Sequence, residues 1–326
     1  MPRHELGVVV GKFFPPHRGH KHLIDVAASQ VHRLVVIVCS KPDDTIPGEL
    51  RASWIREIHP GADVVRIDDV YDPDDSALWA ANTIRWLGRA PDVAFTSEDY
   101  GPRWAGLMGS AHVMVDRGRS TIPCRGSEIR ARPLDHLELV EPCVRAFLVP
   151  RIVILGAEST GTTTLARALG AHYGTAWVPE YGREYCETLP DLSAHEWRTE
   201  EFIAIAREQN RREDRAARSA GPVLICDTDA FATGIWHERY LGGRSTDVES
   251  LACGRRYAHA FVTDVDIPFV QDGLRDGESI RTSMHDLFIE RLRQAGRPFT
   301  VVRGSIGDRV EAAVVSIDTI LADVRF

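Results

Sequence analysis

The stretch "RIVILGAESTGTTTLARALG", residues 151–170, decides how half of the chain is read. An apolar, strand-like run ends at Gly156, a short turn closes on Gly161, and a run rich in Ala and Leu follows. Strand, glycine turn and helix in that order outline a phosphate-binding loop, G-x-x-x-x-G-K-[ST]. Gly156 and Gly161 are in place and Thr163 supplies the hydroxyl, yet Thr162 stands where the lysine belongs. In such a loop backbone N–H groups form an anion nest, and the lysine adds a mobile charge at the β/γ bridge. Thr162 leaves the nest and removes the charge. Gly156, Ala157, Glu158, Ser159, Thr160, Gly161, Thr162, Thr163 and Thr164 are therefore expected to hold ATP, with Thr163 the hydroxyl best suited to a metal ion.

Working outward, the same rhythm recurs on both sides. In the first half "LGVVVG", "RLVVIVC", "ADVVRI", "DVAFTS" and "AHVMVD" read as buried strands, with helices around 19–31, 49–58 and 76–88 between them. "EPCVRAFLVP" reads as a closing helix and connector, after which "RIVILG" restarts the count. "TAWVP", "PVLICDTD", "HAFVTDVD" and "FTVVRG" continue as strands, with a long polar-faced helix near 196–219 and a last one near 306–324. Apolar runs alternating with helical patterns predict α/β architecture: two doubly wound parallel sheets, over residues 1–148 and 149–326.

Bulk properties bound the function. A chain of 326 residues has room for two cores. The net charge of −8 speaks against broad affinity for nucleic acid, and no apolar run reaches membrane-spanning length. Cys39, Cys124, Cys143, Cys186, Cys226 and Cys253 form no C-x-x-C pair and no metal-ligand spacing, so a reducing cytoplasmic setting is expected. Lysine occurs only at Lys12, Lys21 and Lys41.

The N-terminal half carries a second phosphate signature. "GVVVGKFFPPHRGHKHLI" places His17-Arg18-Gly19-His20 after a strand and at a helix start. A helix N-terminus exposes unpaired N–H groups and a partial positive charge, which suits a triphosphate. Two histidines three apart share a face of the first turn, and Gly19 permits close backbone approach. Further on, "IPCRGSEIRARP" offers Ser127 as a helix cap ahead of Ile129 and Arg130, although such a segment is often only a cap with a surface arginine.

Together these motifs resemble the nucleotidylyltransferase superfamily, with its G-[KR]-F-x-P-x-H-x-G-H and I-S-x-T-x-[IV]-R patterns. "SALWAANTIRWL" is similar to the segment of nicotinamide mononucleotide adenylyltransferases whose tryptophan stacks on the pyridine ring, here Trp79; core packing is the competing reading. The resemblance implies Mg²⁺-assisted attack of a mononucleotide 5′-phosphate on the α-phosphorus of ATP. It assigns His17, His20, Lys12 and Arg130 to catalysis and Gly11, Phe13, Phe14, Gly19, Ser127 and Ile129 to ATP binding. This chain has "RGSEIR" without the leading Ile-Ser pair, so Ser127 is less secure than Arg130.

In the C-terminal half "PVLICDTDAF" ends a strand in Asp227-Thr228-Asp229, "VPEYGREYCE" carries Glu180 and Arg183, and "VQDGLRDGESIRTS" carries Arg275 and Arg281. Carboxylates after such a strand reach a magnesium ion or a substrate hydroxyl, or else cap a turn. With the adenylyltransferase motifs ahead of it, this set resembles the NadR family, in which nicotinamide mononucleotide adenylyltransferase is fused to ribosylnicotinamide kinase. The resemblance implies Glu180 and Asp227 at the reacting hydroxyl, Thr163 and Asp227 on metal, and Arg183, Asp229, Arg275 and Arg281 on the riboside and lid. Some members carry a helix-turn-helix ahead of the first strand; this chain opens at that strand, so no DNA binding is expected.

The expected substrates are ATP, nicotinamide mononucleotide and nicotinamide riboside; the quaternary state stays open, a homo-oligomer included. No lysine follows residue 41, so Arg275 and Arg281 are the expected deputies for the missing charge, whose outright loss would cost about 3 kcal/mol in the transition state. The rival readings are an adenylyltransferase with a nucleotide-sensing second domain, and the same fold acting on phosphopantetheine or CDP-alcohols.

Overall fold

A computed structural model describes residues 4–273 and 277–326. Its contacts divide the chain into Met1–Val144 with Arg325–Phe326, and Arg145–Val324. The break falls inside the helix Pro142–Leu148, a few residues before the boundary expected from sequence.

The first unit runs β1 (His4–Gly11), α1 (Arg18–Ala28), β2 (Val31–Ser40), α2 (Gly48–Ile58), β3 (Asp63–Asp68), α3 (Ser76–Leu87), β4 (Val93–Thr96), α4 (Gly101–Met108), β5 (Ala111–Met114) and α5 (Gly126–Ala131), before α6 (Pro142–Leu148). Its five strands are parallel in the order β3-β2-β1-β4-β5, with Val8 opposite both Val35 and Ala94. Alternate residues of each strand feed opposite faces. Val9, Val36 and Phe95 pack on Leu23, Ile24 and Ala27 of α1. Val8, Ile37 and Ala94 pack on Ala80, Trp104 and Met108 of α3 and α4. Burial on both faces is why these strands read as unbroken apolar runs.

The second unit runs β6 (Arg151–Gly156), α7 (Thr162–His172), β7 (Trp177–Val178), α8 (Tyr181–Glu187), α9 (Thr199–Ala217), β8 (Leu224–Asp227), α10 (Ala230–Leu241), α11 (Thr246–Ser250), β9 (His259–Thr263), α12 (Arg281–Gln294), β10 (Phe299–Val302) and α13 (Ile306–Ala322). Its strands are also parallel, in the order β10-β9-β6-β8-β7. The core joins Ile152, Ile154, Ile225 and Phe261 to Leu165, Leu169, Ala313 and Ile317. The strand expected at "TAWVP" shrinks to two residues on the sheet edge. Among the described residues no helix is long and apolar enough to cross a membrane.

Both topologies reverse direction beside the first strand of the unit, and ligands of open parallel sheets bind outside the strand ends at such a point. The two phosphate motifs sit there: residues 11–20 follow β1, and residues 156–164 follow β6.

Candidate active sites

A cleft of about 860 Å³ opens at the carboxyl end of β1, large enough for a dinucleotide-sized ligand. His17 is the N-cap of α1: its backbone is extended, and its Nδ1 accepts from the N–H of Gly19 (3.1 Å) and of His20 (3.4 Å). A nitrogen that accepts carries no proton, so this geometry assigns the neutral tautomer with hydrogen on Nε2. Burial first, and the charge of Arg119 second, hold the His17 pKa down to about 4. His20 stacks on His17 with centroids 3.7 Å apart, and burial, His17 and Arg119 push its pKa well below the usual value. Its Nδ1 is buried without a hydrogen-bond partner among the described residues, as befits a group that can receive a ligand. The pair offers neutral donors at neutral pH. Gly19 makes room for this: a Cβ there would lie a tight 3.0–3.1 Å from the His17 ring.

Arginines set the far wall. Arg130 donates to the Phe14 carbonyl at 2.5 Å and lies 4.7 Å over the Phe14 ring, with Arg51 5.0 Å from the same ring. Arg51 is fully buried and donates to the carbonyls of Lys12, Cys39 and Ile46, so it fixes the backbone from which Lys12 reaches into the cleft. Helix α5 starts at Gly126, where a Cβ would sit 2.9 Å from the Phe14 carbonyl oxygen, so the position suits glycine. Arg125 takes the N-cap position, so Ser127 is no cap; it sits one residue into the helix, on the cleft wall. Ile129 is fully buried and outside the cleft lining, so its side chain serves the core rather than ATP. Gly11, Phe13 and Trp79 line the cleft; Phe13 and His20 meet edge to face, with centroids 5.0 Å apart. Trp79 both packs against the core and lines the cleft, with Nε1 donating to the Asp72 carbonyl at 3.0 Å.

Sequence reading missed Arg51 and Arg119. Asp116 accepts from the N–H groups of Ser120, Thr121 and Ile122 (2.9–3.2 Å), winding the loop so that Arg119 faces the histidines while paired to Glu98 at 2.9 Å. The Asp and Gly of "VDRGRST" signal a turn, but nothing in them says where it aims.

In the second unit a cleft lies over the loop after β6. Gly156 admits no side chain, since a Cβ would lie 2.2 Å from Thr263 Oγ1, and Gly161 holds φ of +86°, a left-handed conformation suited to glycine. Thr160 Oγ1 is buried between Ala157 O and Thr263 Oγ1, each at 2.6 Å, so only its backbone can serve a nucleotide. Thr163 Oγ1 donates to Asp227 Oδ2 at 2.5 Å. The other oxygen, Oδ1, is buried without a partner among the described residues. No group of three or more His, Cys, Asp or Glu is placed to hold a metal among the described residues. A hydroxyl and a carboxylate with a spare oxygen nonetheless suit Mg²⁺, which takes one or two protein oxygens and fills the rest with phosphate and water. Burial raises the pKa of Asp227; burial and then the neighbouring Asp227 push Glu180 up to about 8, against the pull of Arg183.

The predicted cations fall differently. Arg281 lies buried under the loop, donating to Ser159 O and Ile267 O, and so is no lid residue. Arg275 lies outside the described residues. Arg183, salt-bridged to Asp272 at 2.6 Å, is the one cation among the described residues that line this cleft. Asp229 does not reach it: the side chain caps α10 through the Ala232 N–H and pairs with Arg297 at 2.8 Å. Sequence reading also missed an aromatic wall. Trp197 and Tyr240 lie 5.3 Å apart, and Trp236 stacks on Tyr240 at 6.2 Å. Trp236 and Tyr240 lie one turn apart on α10, and Trp197 stands in the segment ahead of α9, so only folding brings Trp197 to the other two.

Residues 8–132 match the cytidylyltransferase-like family, and residues 151–309 match the AAA domain family. The trifunctional NAD biosynthesis/regulator proteins NadR of Escherichia coli (strain K12) and Salmonella typhimurium (strain LT2) are each 28% identical to this chain, over 91% of it and 78% of their own length. A crystal structure of a NadR protein in complex with NR superposes with a TM-score of 0.79 at 19% identity, covering 98% of this chain and 97% of that one. A second, in complex with NAD and AMP-PNP, gives 0.77 at 20% identity over the same shares. With a cytidylyltransferase-like unit and an AAA-type unit in that order along one span, this chain is homologous to the NadR proteins.

Proposed function

We propose that this chain performs two ATP-dependent steps of NAD biosynthesis: phosphorylation of nicotinamide riboside in the second unit, and adenylyl transfer to nicotinamide mononucleotide in the first. One observation carries the reading. Each cleft joins a helix start that receives phosphate to an aromatic surface that suits a cationic pyridinium ring: Trp79 in one, Trp197, Trp236 and Tyr240 in the other.

In the first unit a 5′-phosphate oxygen of the mononucleotide attacks the α-phosphorus of ATP. The bond from that phosphorus to the α–β bridging oxygen breaks, and pyrophosphate leaves. His17 Nε2–H and His20 donate to the phosphate oxygens as charge builds, while Lys12, Arg119 and Arg130 hold the leaving group. Positioning and charge stabilisation suffice, with no covalent intermediate.

In the second unit the riboside 5′-hydroxyl attacks the γ-phosphorus, ADP leaves, and the hydroxyl proton passes to the ionised Glu180 carboxylate. Backbone N–H groups of residues 156–163 cradle the phosphates, and Arg183 supplies the mobile charge that Thr162 lacks. Magnesium held by Thr163 and Asp227 would neutralise charge on the β- and γ-oxygens.

Thr162 also favours a second reading, in which this unit senses nucleotide without turnover. Supplying ATP and Mg²⁺ with nicotinamide riboside alone separates the two. Appearance of the mononucleotide and ADP supports transfer; nucleotide binding without product leaves the sensor.

A further inference from the structure

The loop that follows β6 is held from behind by two arginines outside its motif. Arg281, at the start of α12, donates from Nη2 to Ser159 O (3.2 Å) and to Ile267 O (3.0 Å). Arg309, in the first turn of α13, donates from Nη1 to Thr160 O at 2.5 Å and from Nε to Gly304 O at 3.1 Å, and its Nη2 is salt-bridged to Asp266. The two side chains are 4% and 2% exposed, and neither lines the cleft. They grip consecutive carbonyls of one turn.

A trans peptide is planar, with its C=O and N–H pointing in opposite directions. Pinning Ser159 O from behind therefore turns the Thr160 N–H forward, and pinning Thr160 O does the same for the Gly161 N–H. Those are the central donors of an anion nest. The turn needs such restraint, because Ser159 and Gly161 both hold positive φ, +58° and +86°. With no charge at Thr162, the aim of these N–H groups carries more of the phosphate binding than in a loop that has its lysine. We infer that Arg281 and Arg309 are positioning residues of the nucleotide site: each clamps one carbonyl of the 156–163 loop so that the next N–H faces the triphosphate.

The inference rests on the second unit binding ATP, and its test is kept apart from turnover. The full-length chain is titrated calorimetrically with AMP-PNP and Mg²⁺ in the absence of both nicotinamide substrates, where two sites are expected. Arg309→Gln should weaken one site at least tenfold and leave the other unchanged. Arg309→Lys keeps the charge but not the two-pronged fork, and should lose about threefold or more; it also stands in if the Gln variant does not fold. Nicotinamide riboside should bind the variants and the parent alike. A folded Lys or Gln variant with both AMP-PNP affinities intact would overturn the inference, as would joint loss of AMP-PNP and riboside binding, which marks collapse of the site. A parent that binds AMP-PNP at two sites yet never phosphorylates the riboside would sink the kinase reading and leave the clamp standing.

Discussion

In the proposed reading His17 has two separable jobs, and two substitutions pull them apart. Its Nδ1 caps α1 by accepting from the Gly19 and His20 N–H groups, which leaves Nε2–H free for phosphate. Asparagine is among the best N-caps but too short to carry a donor to where the imidazole Nε2 stands. His17→Asn should therefore keep the fold within a few tenths of a kcal/mol, whereas His17→Ala should lose about 1 kcal/mol. Both remove a donor aimed at developing charge, so adenylyl-transfer kcat should fall roughly 100- to 1000-fold in each. The same ring gives stability a pH dependence. Its folded pKa is near 4 against an ordinary 6.5, so the unfolded chain takes up the proton more readily. That contribution is complete above pH 6.5 and is lost as pH falls towards 4, by up to about 3 kcal/mol. His17→Asn should abolish it. Urea melts between pH 4 and 7, set beside initial rates of NAD formation from the mononucleotide, measure both jobs. An Asn variant within threefold of parental kcat, or an Ala variant as stable as the parent, would refute the division.

Three further outcomes are expected. Trp79→Ala should raise the KM for nicotinamide mononucleotide about tenfold through loss of a cation–π contact, with little change for ATP; an unchanged KM would return Trp79 to core packing. Burial and Asp227 push Glu180 up to about 8, so riboside phosphorylation should gain kcat/KM as pH climbs to about 8 and then level off. Glu180→Gln should flatten that profile and slow the reaction roughly 100-fold or more, and a profile unaltered by it would remove Glu180 as base. Gly156→Ala puts a Cβ 2.2 Å from Thr263 Oγ1 and should destabilise by about 1–3 kcal/mol, read as an earlier unfolding transition with adenylyl transfer intact.

The fold was legible because every central strand is buried on both faces. Val8-Val9-Val10 and Ile152–Leu155 had to be apolar throughout, and such runs survive inspection of one sequence. The phosphate motifs were legible for a related reason: a nest or a helix start is local, so its glycines and histidines lie close together along the chain. What escaped was long-range. Arg119 depends on how Asp116 folds its loop, Arg51 and Arg309 are buried cations that read as ordinary surface residues, and the aromatic wall joins Trp197, ahead of α9, to Trp236 and Tyr240 on α10. Asp229 shows the opposite failure. Its neighbour Asp227 faces the site, but the chain turns between them, and Asp229 spends its carboxylate on a helix cap and Arg297. The missing lysine points sequence reading to Arg275 and Arg281; Arg275 lies outside the described residues, whereas the structure puts Arg183 in the cleft and Arg281 and Arg309 beneath the loop.

If one chain runs both transfers in sequence, the two phosphorus atoms of its NAD must come from different positions of ATP. Incubating the protein with nicotinamide riboside, Mg²⁺ and ATP labelled at either the α- or the γ-phosphorus reads this directly. The expected result is label in NAD from both preparations, with γ-label appearing first in the mononucleotide. The contradicting result is no labelled NAD from either preparation, while mononucleotide supplied separately is converted by the same sample.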